Sequence, residues 1–420
     1  MTTLFRAPKC LIDAVRDDLY RRHRFAAERV GFLACRAARL ANNGLIILAT
    51  EYHPVADDDY VEDPTVGAMM GARAIRVAMQ LAYNGGREDT SVFHIHMHDR
   101  AGYPVFSQTD LTESGLGRRL LLASTWTQTC GNQPIFHSGC ATTILGMELM
   151  DPRLVSQSFL GPDSDAILAQ AEVGVAGLCG GGSHVVQQLA HVGVGNFVVV
   201  DDDIIEEKNL NRLVGGTRAD VDAKFSKVSI AERVIRSVNP AARVIPRSSR
   251  WQDAIEDLRR CDVIFGCLDS YRERDELERF CRRYLIPYID CGMDVHGTSG
   301  TFSISGQVVL SSPGGPCLWC FGILTKGRIA EEAGQYGKAG SRPQVVWSNG
   351  VLASIAVDLF VQLICPWHGR AQMTACCEFD GNRHRIETSR LDNLAGSRCS
   401  HFRPDEVGDA FFVTSTNVGA

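Results

Sequence analysis

Apolar residues in this chain fall into short continuous runs separated by stretches where they recur every three to four residues, the pattern of buried strands alternating with amphipathic helices. In the first third, the pattern predicts a helix over Ala14 to Arg24, an apolar segment Val30 to Cys35 with a short strand from Gly31, and a strand over Gly44 to Thr50. An acidic loop from Glu51 to Asp63 and a helix over Gly67 to Asn84, stopped by Gly85 and Gly86, follow. His94, His96 and His98 alternate, so on a strand they share one face. Asp151 to Asp165 mixes Pro, Gly, Ser and Asp, a linker composition.

Beyond it the alternation is regular. Val173 to Ala176 reads as a strand, Val185, Val186, Leu189 and Val192 recur at helical spacing, and Phe197 to Val200 is a second strand ending in Asp201, Asp202 and Asp203. Helices over Asp222 to Asn239, Trp251 to Leu258 and Arg272 to Tyr284 interleave with strands at Val244-Ile245, Asp262 to Cys267 and Pro287 to Cys291. Thr301 to Leu310 alternates as an antiparallel strand does, and Val351 to Ile364 is a strongly apolar helix suited to a core or a dimer interface. The expected organisation is an N-terminal α/β domain over residues 1–150, a linker over 151–165, and a Rossmann-like domain over 166–420. That second domain is a doubly wound, mainly parallel sheet with antiparallel C-terminal additions.

Composition narrows the setting. With 45% hydrophobic and 22% charged residues and a net charge of -6, the chain has the make-up of a globular protein and not that of a general nucleic-acid binder. No N-terminal apolar core of signal-peptide length and no membrane-length apolar run is present, so the expected compartment is the cytosol. Its 15 cysteines then read as reduced thiols, metal ligands or catalytic groups instead of a disulfide framework.

The richest chemistry lies in Ala171 to Arg212. Gly177, Gly180, Gly181 and Gly182 fall between a strand and a helix, where missing Cβ atoms let backbone amides approach an anion at the helix N-terminus. Such a turn with acid about twenty residues on also fits a nicotinamide or flavin dehydrogenase. Asn209, Arg212, Lys227, Asp203 and Asp269 add two cations, an amide and two carboxylates, a set suited to a triphosphate with magnesium. In order, Gly177-Leu-Cys-Gly-Gly-Gly-Ser183, Asp201-Asp-Asp203, Asn209-Leu-Asn-Arg212, Lys227 and Asp269 resemble the adenylating domain of the ThiF, MoeB and ubiquitin-activating enzymes. That resemblance, over about residues 160 to 400, implies that Asp203 holds the ribose, Asn209, Arg212 and Lys227 contact phosphates, and Asp269 carries Mg2+. It implies ATP-dependent adenylation of the C-terminal glycine carboxylate of a ubiquitin-like or sulfur-carrier protein, releasing pyrophosphate, in a homodimer built through this domain. One family glycine is Cys179 here.

The resemblance also makes Cys317-Leu-Trp-Cys320 half of a structural zinc site. A second C-x-x-C is missing, and Cys399 with His401 is favoured to complete it over the adjacent pair Cys376-Cys377. Phe321 to Val346 contains no cysteine for a thioester, which favours adenylation alone. Dimeric relatives present an arginine to the partner's ATP; the equivalent stretch here, V-S-Q-S-F-L-G, leaves Arg153 nearby.

In the N-terminal domain, His96, His98 and a carboxylate such as Asp110 can hold a zinc with an open position for water, with Glu28 as general base. His96-Met-His98, Ser107-Gln-Thr-Asp110 and the upstream Glu28 resemble the JAB (JAMM, MPN-type) metallopeptidases. That resemblance implies Glu28 as base, His96, His98 and Asp110 as zinc ligands and Ser107 as oxyanion donor, with one more residue than usual between His98 and Ser107. The expected whole is a fusion of a zinc peptidase or deconjugase with an adenylyltransferase. The alternatives are activation of a peptide natural-product precursor, a non-catalytic scaffold that binds a ubiquitin-like protein, and a dehydrogenase.

Overall fold

The computed structural model describes residues 3–22, 28–41, 44–61, 68, 70–83, 91–96, 153–161, 163–298, 300–334, 343–368, 373–389 and 399–409. The chain divides into two compact units, Met1–Ile144 with Arg403–Ala420, and Leu145–Phe402.

In the first unit, strands β1 (Thr3–Arg6), β2 (Val30–Arg39), β3 (Leu45–Pro54) and β4 (Ser91–His96) form a sheet in the order β1-β3-β2-β4. Helix α1 (Lys9–Leu19) packs Val15 and Leu19 on Leu33 and Cys35, while α2 (Ala72–Tyr83) packs with Val30 and Phe32. Successive β2 residues thus serve opposite faces, both buried, which explains the unbroken apolar run. The expected acidic loop begins later, because Glu51 to Pro54 extend β3 and pair with β2 from Gly31 to Ala34. The helix expected over Ala14 to Arg24 sits earlier, at Lys9–Leu19. A return segment is bonded to β2: Arg36 Nη1 donates to the Asp405 carbonyl at 2.7 Å and Asp409 N to the Ala37 carbonyl at 3.2 Å.

The second unit opens with a 3-10 turn at Val155–Leu160 and α3 (Ser164–Gln170), so the stretch that reads as linker is folded. Strands β5 (Glu172–Ala176), β6 (Asn196–Val200), β7 (Arg243–Arg247), β8 (Val263–Gly266), β9 (Tyr288–Thr298), β10 (Thr301–Ser311), β11 (Thr374–Asp380) and β12 (Arg385–Thr388) form one sheet. Its order is β12-β11-β10-β9-β8-β5-β6-β7, with β9, β8, β5, β6 and β7 parallel and β9 to β12 antiparallel. The α/β reading with a parallel core and antiparallel additions holds.

Helices α4 (Gly180–His191), α5 (Arg218–Asp222), α6 (Lys227–Val238), α7 (Ile255–Leu258), α8 (Tyr271–Arg283), α9 (Lys326–Gly334) and α10 (Val346–Ile364) complete the unit. One apolar core joins α4, α6 and α10 to β5, β6 and β8 through Val185, Ile235, Phe360, Val175, Val199 and Phe265. Helix α10 is apolar and long enough to cross a membrane by length and composition, yet Leu352, Ala353, Ala356 and Phe360 are spent on this core. The single helix expected over Asp222 to Asn239 is two. Thr217 and Asp220 form a capping box for α5, Lys224 takes a left-handed φ of 54°, and Ser226 Oγ starts α6 by accepting from Ser229 N.

Candidate adenylation cleft and metal cluster

Strand β5 lies between β6 and β8, so the chain leaves its C-terminal end toward one neighbour while the other is reached by a later crossover. The crevice this opens is the usual ligand position in a doubly wound sheet. Its lining includes Gly177, Gly180, Gly181, Asp203, Lys227 and Asp269.

The glycine turn is shaped by contacts that only glycine allows. Gly177 has a φ of 87°, and a Cβ there would stand 2.4 Å from the Cys267 carbonyl oxygen. A Cβ on Gly182 would stand 1.8 Å from the Gly177 carbonyl oxygen, so α4 begins hard against the strand end that precedes it. Gly182 therefore serves the fold of the turn and is not part of the cleft lining, whereas Gly180 and Gly181 present the helix N-terminus. Gly182→Ala should displace α4 and abolish nucleotide binding, with a stability loss of about 2–4 kcal/mol. Isothermal titration with ATP and a thermal melt check both.

Three aspartates end β6 and have different work. Asp201, nearly buried, accepts from Leu178 N at 2.7 Å and Asp203 N at 2.9 Å, closing the turn. Burial pushes its carboxyl up, and Lys227 with the two backbone donors opposes this. Asp203 is 65% exposed and reaches Lys227 Nζ at 2.5 Å through one carboxylate oxygen. Lys227 is 6% exposed and lies 3.5 Å from Asp201 Oδ1. Burial alone would lower its pKa, but Asp201 and Asp203 outweigh that and hold it above the ordinary lysine value, so it stays charged.

Asn209 and Arg212, expected on phosphates, are not among the residues that line this cleft, though both lie beside Cys179, which does. Asn209 is buried, accepts from Glu206 N at 2.8 Å and lies 3.6 Å from Cys179 Sγ. Arg212 Nη1 donates to the Lys208 carbonyl at 2.7 Å. Cys179 is thus turned toward Asn209; burial raises its thiol against the pull of Lys227 and Arg212, which leaves it neutral packing instead of a nucleophile. Arg153 donates to the Val238 carbonyl at 2.8 Å, at the end of α6. Asp269 sits exposed on the turn after β8, where Gln344 Nε2 donates to it at 3.0 Å.

Arg274 and Gln344 are among the lining residues that escape the motif reading. Arg274 is buried and pairs bidentately with the fully buried Asp290, which also accepts from Tyr288 OH at 3.0 Å. The signal was helical: Arg274, Leu277, Glu278 and Cys281 recur at i, i+3, i+4 and i+7, so two charges share the inward face of α8. Gln344 has no such signal.

The second cluster is at the knuckle. Cys317, Cys320 and Cys399 Sγ atoms are mutually 3.6, 3.7 and 3.4 Å apart, and His401 Nδ1 lies 3.5, 3.4 and 3.7 Å from them. A tetrahedral zinc with Zn–S near 2.3 Å spaces its sulfurs about 3.8 Å apart, so the donor set, its number and its spacing fit zinc. Cys376 and Cys377 are adjacent on β11 and take no place in the cluster.

Of the residues expected at the peptidase site, the general base Glu28 is half-buried just before β2, and the zinc ligand His96 ends β4, where it pairs with Val30. His98, Ser107 and Asp110 lie outside the described residues.

The chain is similar to several known proteins. Over 163 residues the chain is 34% identical to the SAMP-activating enzyme E1 of Haloferax volcanii, covering 38% of this chain and 57% of that protein. Over 164 residues it is 29% identical to the sulfur carrier protein ThiS adenylyltransferase of Escherichia coli, covering 37% and 61%. The chain therefore spans less than two thirds of the length of these relatives. The crystal structure of E. coli MccB with ATP is similar at a TM-score of 0.47 and 20% identity, over 57% of this chain and 72% of that one. Residues 152–401 match the ThiF family. That match spans more than half of the chain and contains the glycine turn, the aspartates, Lys227 and the cysteine knuckle, and on it the chain belongs to the ThiF family.

Proposed function

We propose that this protein uses ATP to adenylate the C-terminal carboxylate of a ubiquitin-like or sulfur-carrier protein. The observation that carries the reading is one cleft in which a helix N-terminus, the charged Lys227 and the carboxylates of Asp203 and Asp269 converge from the ends of separate strands. In the reaction a carboxylate oxygen of the carrier forms a bond to the α-phosphorus of ATP, the bond from that phosphorus to the bridging oxygen breaks, and pyrophosphate leaves. The amides of Gly180 and Gly181 and the Lys227 ammonium neutralise phosphate charge, and Asp203 orients the ribose. Asp269 would hold Mg2+, which supplies positive charge to the departing pyrophosphate. The names of the H. volcanii and E. coli relatives support this substrate class. Phe321 to Val346 holds no cysteine to receive the acyl group, so the adenylate itself is the product.

Exchange of labelled pyrophosphate into ATP should depend on a carrier ending in glycine and should fall at least about 100-fold in Asp269→Ala. No exchange with any carrier, from a chain that binds Mg·ATP, would overturn the substrate assignment and favour the peptide or scaffold readings.

For the first unit we propose a zinc peptidase site built from Glu28, His96, His98 and Asp110 with Ser107. It is supported by the pairing of Val30 with His96, which brings the start of β2, two residues after Glu28, to the end of β4. His96→Ala should lose one zinc per chain while keeping the metal of the knuckle; unchanged zinc content would remove the site.

A further inference from the structure

Cys179, Cys267 and Cys291 all line the cleft, and none has a part in adenylation. Cys179 is engaged with Asn209, 3.6 Å away. The other two meet each other. Strands β8 and β9 run parallel with Gly266 opposite Asp290, and Cys267 and Cys291 are the next residues along each chain. Their side chains therefore leave the same face of the sheet. Neighbouring strands lie about 4.8 Å apart, inside the range of roughly 4.4–6.8 Å that a disulfide spans between Cα atoms. The two thiols are hydrogen-bonded; that bond, with burial, pushes the Cys291 thiol up, so Cys291 keeps its proton. Cys291 is buried and Cys267 half-buried.

Cys267 also supports the glycine turn. Its amide donates at 2.8 Å to the carbonyl of Ala176, the residue that leads into Gly177. Its Sγ is the nearest atom to the open side of Gly181, 3.5 Å from where a Cβ would stand, so the thiol lies under the first turn of α4. One side chain thus touches both the phosphate-binding turn and a second thiol.

We propose that Cys267 and Cys291 form an oxidation site that closes to a disulfide under a peroxide and thereby weakens nucleotide binding in this cleft. Cys267, the more exposed thiol, attacks one oxygen of hydrogen peroxide; the O–O bond breaks, giving a sulfenic acid on Cys267 and water. The Cys291 sulfur then bonds to the Cys267 sulfur, the S–O bond breaks, and the departing hydroxide takes the Cys291 proton as a second water. The thiol pair loses two electrons and the peroxide gains them. The bridge brings the sulfurs to about 2.05 Å, well inside hydrogen-bond distance, and draws Cys267 toward β9 and away from Gly181. A shift of about 1 Å in groups that position a ligand is enough to cost tenfold or more. The inference rests on the adenylation reading for the presence of nucleotide in the cleft.

The test treats the full chain with a small excess of hydrogen peroxide, maps its thiols by peptide mass, and measures ATP binding by calorimetry with no carrier present. A peptide linking Cys267 to Cys291 should appear, ATP affinity should fall at least about tenfold, and dithiothreitol should restore both. Because coupling is reciprocal, saturating ATP should raise the reduction potential of the pair by about 30 mV for each factor of ten. In Cys291→Ser no bridge can form, and dimedone, which traps sulfenic acids, should label Cys267 under the same treatment. A wild-type chain with no Cys267–Cys291 peptide, or with that peptide and unchanged ATP affinity, overturns the proposal. A reduced chain that binds no ATP overturns the adenylation reading, while the linked peptide still decides whether the pair is an oxidation site.

Discussion

Lys227→Met is expected to reduce pyrophosphate exchange by about a thousandfold or more while leaving a folded but destabilised protein. A lysine as first residue of a helix stands where the helix dipole disfavours a cation, so local helix chemistry does not account for it. What holds it is Asp201 on one side and Asp203 on the other. Without the ammonium, two carboxylates face a triphosphate with the only lysine among the described lining residues gone, and the helix N-terminus compensates the charge less well, so nucleotide binding weakens. The fold also suffers, because Asp201 is nearly buried and keeps only its two backbone donors. Removing one partner of a fully buried pair costs about 3–5 kcal/mol; Asp203 is open to solvent, so about 1–3 kcal/mol is expected here. The pH dependence has a definite sign. Burial already raises Asp201, and losing Lys227 raises it further. A carboxyl with a raised folded pKa favours the folded state at low pH and disfavours it above. The stability deficit of Lys227→Met should therefore be smallest in acid, where Asp201 is protonated, and grow as pH rises through the Asp201 pKa. Melts of both proteins across that range check this, and a constant deficit would mean that Asp201 is not the group exposed to the loss.

The cleft was legible in sequence where a backbone constraint demanded a residue type. Gly177 needs its positive φ, Gly182 needs its missing Cβ, and the acid after β6 follows from a strand end beside a helix N-terminus. Bonding within the motif was less legible: the contacts of Asn209 with the Glu206 amide and with Cys179 depend on the 3-10 turn at Glu207–Asn209, which no periodicity announces. Composition misled at Val155–Leu160, where polar residues that suit a linker form a 3-10 turn tied down by Gln157 donating to the Val192 carbonyl at 2.9 Å. The β3 extension through Tyr52 depends on Gly31 across the sheet, since a Cβ there would stand 2.3 Å from the Tyr52 ring. The return of Asp405 and Asp409 to β2 rests on bonds to Arg36, Ala37 and Arg39 that no local periodicity encodes. Gln344 likewise owes its place to a crossover that pattern reading leaves featureless.

Cys399→Ser should remove the knuckle metal and lower the melting temperature by about 10–20 °C. Zinc binding is worth about 10–16 kcal/mol in small metal-folded peptides. The second unit also has an apolar core around α4, α6 and α10 that includes no ligand of the cluster, so about 3–6 kcal/mol of that is expected as lost stability, at about 2–4 °C per kcal/mol. The loss spreads because the knuckle is bonded into α8. Leu318 N donates to the fully buried Glu278, Arg282 donates to the Gly315 and Pro316 carbonyls at 2.9 and 2.8 Å, and Trp319 Nε1 donates to Asp275 at 2.6 Å. Trp319 also stacks on His401, and Arg279 and Arg282 flank the Phe402 ring at 5.3 and 5.4 Å. Helix α8 begins at the turn that bears Asp269 and carries Arg274 in the cleft wall. A knuckle without metal should therefore weaken adenylation through α8 even though no ligand of the cluster lines the cleft. Cys377→Ser is the matched control: it lies on β11 opposite Val308 and should keep zinc, melting temperature and exchange activity. Full zinc content and unaltered melting in Cys399→Ser would remove Cys399 from the ligand set, while zinc loss with undiminished exchange would show that α8 holds the cleft without help from the knuckle.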